Sequence, residues 1–175
     1  MTSRPIPFAA AEIADRLDEF VDLYQQVYAE PPYEETTDDA ISFGRRLTEE
    51  AQRPGFSLVA AVEDDNVIGF AHGYTFGPDQ WWKAADATPP EVHTLPKFAI
   101  MELVVRKDHR GQGIASALMR ALLASRTEAY ATLCTNPAAP ARAIYQAWGW
   151  QQVAQTPQRP TFPGMDVLVL PLGSA

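Results

Sequence analysis

The sequence predicts a mixed α/β or α+β fold, a sheet covered by helices on both faces. Three observations carry this expectation. Segments of helical period alternate with apolar runs of strand length, prolines and glycines stand between them, and no repeat or linker breaks the order. The balance of 46% apolar to 21% charged residues is that of a chain that buries a core. At 175 residues, one domain spanning 1–175 is expected.

The elements follow in order. Ile13, Leu17, Phe20, Val21, Tyr24, Val27 and Tyr28 keep helical spacing over four turns, and Pro31-Pro32 stops that helix at Glu30. A second helix is expected from Thr37, with Thr37 as N-cap, aspartates in its first turn, and Ala40, Phe43, Leu47 and Ala51 as its apolar stripe. After Pro54-Gly55, residues 56–62 read as a buried strand, and Glu63-Asp64-Asp65-Asn66 turns the chain back into residues 67–74 as a hairpin. Residues 76–96 hold Gly77-Pro78, Trp81-Trp82, Pro89-Pro90 and Pro96 without any period, which makes them a long loop with at most one helical turn. The paired tryptophans mark a loop folded over something, or else patch the edge of the core.

Residues 98–105 are the next strand, followed by a polar turn, Lys107-Asp108-His109, and a helix over 112–125 with Ile114, Leu118, Ala121 and Leu122 on one face. A strand over 129–133 leads to a helix flanked at its start by Pro137 and Pro140, with Ala141, Ile144, Tyr145 and Trp148 in period and Gly149 at its end. Residues 150–154 and 165–170 are the last two strands, joined by a proline-rich connection.

Composition removes several classes of function. One cysteine, Cys134, allows no intrachain disulfide, and it has no basic or histidine neighbour in sequence to make it a nucleophile. With His72, His93 and His109 scattered and no Cys/His cluster, no metal is expected. The net charge of −8 argues against nucleic acid and is compatible with a cationic small molecule. No apolar run of about 18 residues is present to span a membrane. Residues 1–8 lack an apolar stretch of signal-peptide length, so a cytoplasmic location is expected.

The chemistry concentrates in Val105-Arg106-Lys107-Asp108-His109-Arg110-Gly111-Gln112-Gly113-Ile114-Ala115, a strand joined to a helix through a glycine-rich turn. Glycines let the backbone approach a ligand and aim successive N–H groups at it, the helix N-terminus adds partial positive charge, and Arg110 adds a full one. A pyrophosphate is the natural occupant. A P-loop is ruled out, because no Gly-Lys-Ser/Thr ending follows. A dinucleotide fingerprint fits poorly: Ser116 takes the third small position, and Ala131 lies where the ribose-binding acid belongs.

Arg110-Gly111-Gln112-Gly113-Ile114-Ala115 instead matches Arg/Gln-x-x-Gly-x-Gly/Ala, and here the chain resembles the GCN5-related N-acetyltransferase (GNAT) family. The resemblance covers roughly residues 56–170. A second motif supports it, since Ala141-Arg142-Ala143-Ile144-Tyr145-Gln146-Ala147-Trp148-Gly149-Trp150 is similar to the family's Ala-x-x-Leu-Tyr-x-x-x-Gly-Phe.

The resemblance implies a mostly antiparallel sheet and acetyl-CoA as cosubstrate. It implies that the backbone of Leu103, Val104 and Val105 pairs with the pantetheine arm, that an N–H near Val104 or Val105 faces the thioester carbonyl, and that the amides of Gly111, Gln112, Gly113, Ile114, Ala115 and Ser116 hold the pyrophosphate. It also implies Tyr145 as the acid for the departing thiolate, where its apolar neighbours on the helix stripe would also allow a core tyrosine, and Glu102 as the group that binds or deprotonates the acceptor amine. Glu102 stands in an apolar strand, where alternation alone would also allow it to face solvent or an arginine. The asparagine often found before the second motif is Ala138 here, with Asn136 as its substitute. In this family acceptor recognition is expected among Tyr28, Tyr33, Glu34, Glu35, Trp81, Trp82 and His93, which would suit a cationic amine with an apolar or sugar body. The same charges would equally make a solvated surface; the acceptor expected is a small-molecule or peptide amine. A homodimer through the last strand is compatible with the sequence. A different class of reading is an acyl-CoA-binding sensor or partner-binding module without turnover, and a nicotinamide oxidoreductase is a third.

Overall fold

The computed structural model describes residues 4–160 and 162–173. The chain divides into two compact units, Met1–Tyr74 with Met101–Ser125, and Thr75–Ile100 with Arg126–Ala175.

In the first unit, β1 (Ile6–Phe8), β2 (Ser57–Glu63) and β3 (Asn66–Phe76) pair antiparallel, Phe8 opposite Leu58 and Leu58 opposite His72. The predicted hairpin turn is present: Asp64 and Asp65 take positive φ angles of 48° and 63°, the left-handed pair that matches the twist of antiparallel strands. β1 was not expected from the sequence. It is three residues long and contains Pro7, so it carries neither length nor period to read.

The single helix expected over residues 13–30 is two. α1 (Ala10–Asp15) and α2 (Leu17–Tyr28) meet at Arg16, whose φ of −118° and ψ of 20° leave the helical region. There its guanidinium donates to Glu19 at 2.7 Å and to the Asp65 carbonyl at 2.6 Å, which ties the break to the hairpin turn. α3 (Thr37–Glu50) is capped by Thr36 rather than Thr37, because Asp39 closes a reciprocal pair one residue earlier. The Asp39 carboxylate accepts from the Thr36 N–H at 2.8 Å, and Thr36 Oγ1 accepts from the Asp39 N–H at 3.4 Å. Gly44 lets α3 lie close on α2, since a Cβ there would fall 2.9 Å from Val21.

These helices bury Phe20, Leu23, Phe43 and Leu47 on one face of β2 and β3, with Phe20 edge-on to Phe70 at 5.2 Å. The other face carries α5 (Ile114–Leu123). At Gly69 in β3 a Cβ would sit 2.9 Å from the Val104 carbonyl oxygen and 3.3 Å from Leu118, so the missing side chain is what lets α5 pack there. The later residues of β4 (Lys97–Val105) belong to this unit.

In the second unit, Lys97, Phe98 and Ala99 of β4 pair in parallel with Tyr130, Ala131 and Thr132 of β5 (Tyr130–Thr135). β5 pairs antiparallel with β7 (Asp166–Pro171), and β7 with β6 (Gln151–Gln155). The long loop contains one short helix, α4 (Pro90–His93), as its sequence allows. Buried Lys97 donates to the His93 carbonyl at 3.1 Å and the Val92 carbonyl at 3.4 Å, closing the end of that turn, and burial lowers its pKa. α6 (Pro140–Ala147) gives way to Gly149 with φ of 90°. Its stripe is narrower than predicted: Tyr145 is buried, but Ile144 is 45% exposed.

The strand order is β1-β2-β3-β4-β5-β7-β6, a mixed and mostly antiparallel seven-stranded sheet in an α/β fold, as the sequence predicts. No helix among the described residues is long and apolar enough to cross a membrane.

Candidate active site

β4 delivers the chain from Val105 into a short 3-10 turn, Lys107–His109, and then into the two glycines that precede α5. The Arg106 N–H donates to the Ile68 carbonyl at 2.9 Å. His109 bridges Glu63 at 3.0 Å and Asp108 at 2.7 Å, and these carboxylates, Glu63 foremost, raise its pKa. The turn is therefore fastened to β2 and β3 before the glycines begin.

Gly111 and Gly113 have φ angles of 75° and 80°, the region that glycine enters freely. A Cβ at either would meet no atom within 4 Å, so both stand against open space. Gly113 is the N-cap of α5 and has no side chain to cap it, which leaves first-turn amides uncapped at the positive end of a helix. The donor set therefore fits a pyrophosphate, as the sequence suggests for Gly111, Gln112, Gly113, Ile114, Ala115 and Ser116.

Arg110, expected beside that anion, is engaged with its own chain. Its Nε donates to the Val105 carbonyl at 3.2 Å, and its two terminal nitrogens fork onto the Glu30 carboxylate at 3.1 Å each. Lys107 Nζ lies 3.8 Å from the same carboxylate. Between α2 and this turn is a cleft of about 480 Å³ lined by Gln26, Val27, Glu30, Arg106, Lys107 and Asp108.

Glu102 sits on β4, three residues before Val105 and on the same strand face as Val104, which joins the core beneath α2 and α3. Its carboxylate faces an arginine rather than solvent: Oε1 accepts from Arg46 at 3.0 Å, Oε2 accepts from the Tyr28 hydroxyl at 2.6 Å, and the side chain is 10% exposed. Burial pushes its pKa up, and Arg46 and the Tyr28 bond pull in the opposite direction without cancelling the shift. Tyr33 packs edge-on against Tyr28 at 4.7 Å, and Tyr24 lies 4.3 Å from Tyr28 and donates to Glu35 at 2.6 Å. Burial raises the pKa of Glu35 and of all three tyrosines. Glu34 is exposed, with a positive φ of 50°. Two carboxylates, Glu102 and Glu35, the Arg46 guanidinium and a wall of phenol rings thus stand together in the first unit.

The remaining nominated residues belong to the second unit. Tyr145 lies between Trp148 and Trp150, with ring centroids 6.0 and 6.1 Å away. α6 is anchored by Arg142, which donates to buried Asp166 and, at 2.9 Å, to Gln152. Asn136 is buried, and its side-chain oxygen accepts from the Ala138 N–H at 2.9 Å, which shapes the turn into α6. The Trp82 N–H donates to Thr132 Oγ1 at 2.9 Å while its ring packs on Phe76, and the Trp81 N–H donates to the Ala87 carbonyl at 2.8 Å. Cys134 has its thiol pKa pushed up to about 12 by burial.

Residues 17–150 match the acetyltransferase (GNAT) family. The chain belongs to the GNAT family. No match is found among curated proteins. Among solved structures, this GNAT chain resembles a histone acetyltransferase and related acetyltransferase from Corynebacterium glutamicum at 18% identity, with 100% of this chain and 99% of that one covered and a TM-score of 0.68. It resembles aminoglycoside 6'-acetyltransferase type Ii at 18% identity, with 95% and 96% covered and a TM-score of 0.65. The ribosomal-protein-S18-alanine N-acetyltransferase from Escherichia coli follows at 15% identity, with 98% of this chain and 96% of that one covered and a TM-score of 0.61. At such identities the likeness is one of fold.

As a GNAT acetyltransferase the protein belongs to a class that moves acyl groups, generally from acetyl-CoA. Sequence reasoning missed Arg46. It lies four residues before Glu50 on a helix, the spacing of an ordinary surface ion pair, and nothing local marks it as Glu102's partner.

Proposed function

We propose that this protein is an acetyl-CoA-dependent N-acetyltransferase in which an amine attacks the thioester directly, within a ternary complex. The observation that carries this reading is Glu102, a buried carboxylate with raised pKa, held by Tyr28 and Arg46 in the same unit as the glycine cradle. Acetyl-CoA supplies an acetyl group activated as a thioester.

The amides of Gly111 to Ser116 hold its pyrophosphate, the Leu103 to Val105 backbone orients the pantetheine arm, and Asn136 assists from the loop before the second motif. Glu102 accepts a proton from the acceptor ammonium, freeing the nitrogen lone pair that forms the new C–N bond; the C–S bond breaks, and the nitrogen gives up its second proton to solvent as the amide forms. The N–H of Val104 or Val105 stabilises charge on the carbonyl oxygen. Tyr145, named by its motif, returns a proton to the departing sulfur. A raised pKa suits Glu102 to its part, because a carboxylate is a better base the closer its pKa lies to working pH. Tyr33, Glu34, Trp81 and Trp82 are the candidates for contact with the acceptor, and the phenol wall of Tyr24, Tyr28 and Tyr33 beside Glu102 supports a cationic one.

A panel of small-molecule and peptide amines incubated with acetyl-CoA tests this, read by thiol release and product mass. One acceptor should gain the mass of an acetyl group, and Tyr145→Phe should lower that turnover about tenfold or more. Acetyl-CoA binding without acetylation of any amine would favour an acyl-CoA sensor instead.

A further inference from the structure

Behind Glu102 the first unit holds a line of charged side chains that the proposed chemistry does not use. Arg46 donates to Glu102 at 3.0 Å through one terminal nitrogen, and its Nε lies 3.8 Å from Glu50. The other oxygen of the Glu50 carboxylate lies 2.7 Å from Nε2 of His72. Glu50 is 7% exposed and His72 is wholly buried among the rings of Phe43, Phe56 and Phe70. A carboxylate only accepts, so this bond puts the His72 proton on Nε2, and Nδ1 finds no hydrogen-bond partner among the described residues. A histidine buried with one nitrogen unsatisfied is costly, and its one bond goes to Glu50.

Arg46 is therefore shared between two carboxylates. How much of its charge Glu102 receives depends on how well Glu50 is satisfied from its other side. We propose that His72 is a positioning residue: by donating to Glu50, it leaves the Arg46 guanidinium to Glu102 and so sets the ionisation of the acceptor-facing carboxylate. The inference rests on the reading of Glu102 as the group that takes the amine proton. The other titratable groups facing this line are Tyr24 and Tyr28 from α2, Tyr33 and Glu35 from the segment before α3, and Tyr74 with Arg53 near Glu50. None of them lies between His72 and Arg46 in the line of contacts.

This arrangement makes the substitutions of two bonded neighbours act in opposite directions. In His72→Leu, Glu50 loses its donor, draws Arg46 toward itself, and the Glu102 pKa rises. In Glu50→Gln, Arg46 loses its competing partner and Glu102 loses a nearby like charge, so the Glu102 pKa falls. A structural role for His72 would produce no such opposition.

The test is a carbon-13 NMR titration of protein labelled at glutamate side-chain carboxyls, with the Glu102 resonance identified by its loss in Glu102→Gln. Arg46→Gln should move that titration up by roughly one pH unit or more. His72→Leu should move it up, Glu50→Gln down, and the double variant should follow Glu50→Gln, because His72 acts through Glu50. His72→Gln, whose amide N–H reaches where Nε2 stands, should restore the native midpoint. A midpoint unmoved by His72→Leu, or raised by Glu50→Gln, overturns the proposal. If His72→Leu does not fold, His72→Asn, whose shorter amide does not reach Glu50, takes its place: it should raise the midpoint, and an unmoved midpoint overturns the proposal. The readout needs no acceptor, so failure of the acetylation screen and failure of this inference are separate results.

Discussion

At the scale of single residues, the proposed chemistry depends on how Glu102 is surrounded. Burial disfavours the charged carboxylate, Arg46 and Tyr28 favour it, and the net shift is upward. The base form exists only above that pKa, so turnover should fall as pH drops through it, and the acidic limb of kcat should lie above the usual carboxylate range. A limb at ordinary carboxylate pH would remove Glu102 from the role. Glu102→Gln should lower kcat by about 10²–10⁴ while leaving the melting temperature nearly intact, as measured by thiol release and calorimetry. Cys134 makes the opposite prediction. With its thiol pushed up to about 12, almost no thiolate exists at neutral pH, so Cys134→Ser should keep its activity and native Cys134 should react only slowly with a disulfide reagent. Glu102 was legible in the sequence because an acid interrupts an apolar strand. Its partners Arg46 and Tyr28 were not legible as partners, being 56 and 74 residues away in the chain.

At the scale of elements, local chemistry decides where segments begin and how closely they pack. Thr36 and Asp39 form a reciprocal cap, so Thr36→Ala should destabilise the protein by about 1 kcal/mol in urea denaturation, whereas Thr37→Ala should cost little. Gly69→Ala should destabilise and also weaken acetyl-CoA binding. Its methyl would fall 2.9 Å from a backbone oxygen of β4 and 3.3 Å from Leu118 on α5, the helix whose start is the proposed cradle. The hairpin was readable from Asp64-Asp65, because few residue pairs tolerate the left-handed geometry that a two-residue turn demands. The break at Arg16 was not readable. The apolar spacing runs through it without interruption, and the bond that stabilises the break reaches 49 residues ahead to Asp65.

At the scale of the whole molecule, the order of elements and the two motifs were enough to identify the family, because the glycine turn and the helix before Gly149 each carry a local sequence pattern. The glycines must be glycines where φ is 75° and 80°, and such positions leave a signature that a packed core does not. Acceptor choice leaves no comparable signature: the family resemblance points to Tyr28 and Tyr33, but Tyr24, which packs on Tyr28, reads in sequence only as part of a helix's apolar stripe. The central claim is that the turn before α5 holds the pyrophosphate of acetyl-CoA, and calorimetric titration of acetyl-CoA tests it most directly. The native protein should bind one equivalent, with NADH giving no signal. Gly113→Val, which puts a branched side chain into the open space at the start of α5, should weaken binding about tenfold or more. Absence of acetyl-CoA binding by the native protein, or equal binding by Gly113→Val, would contradict the claim.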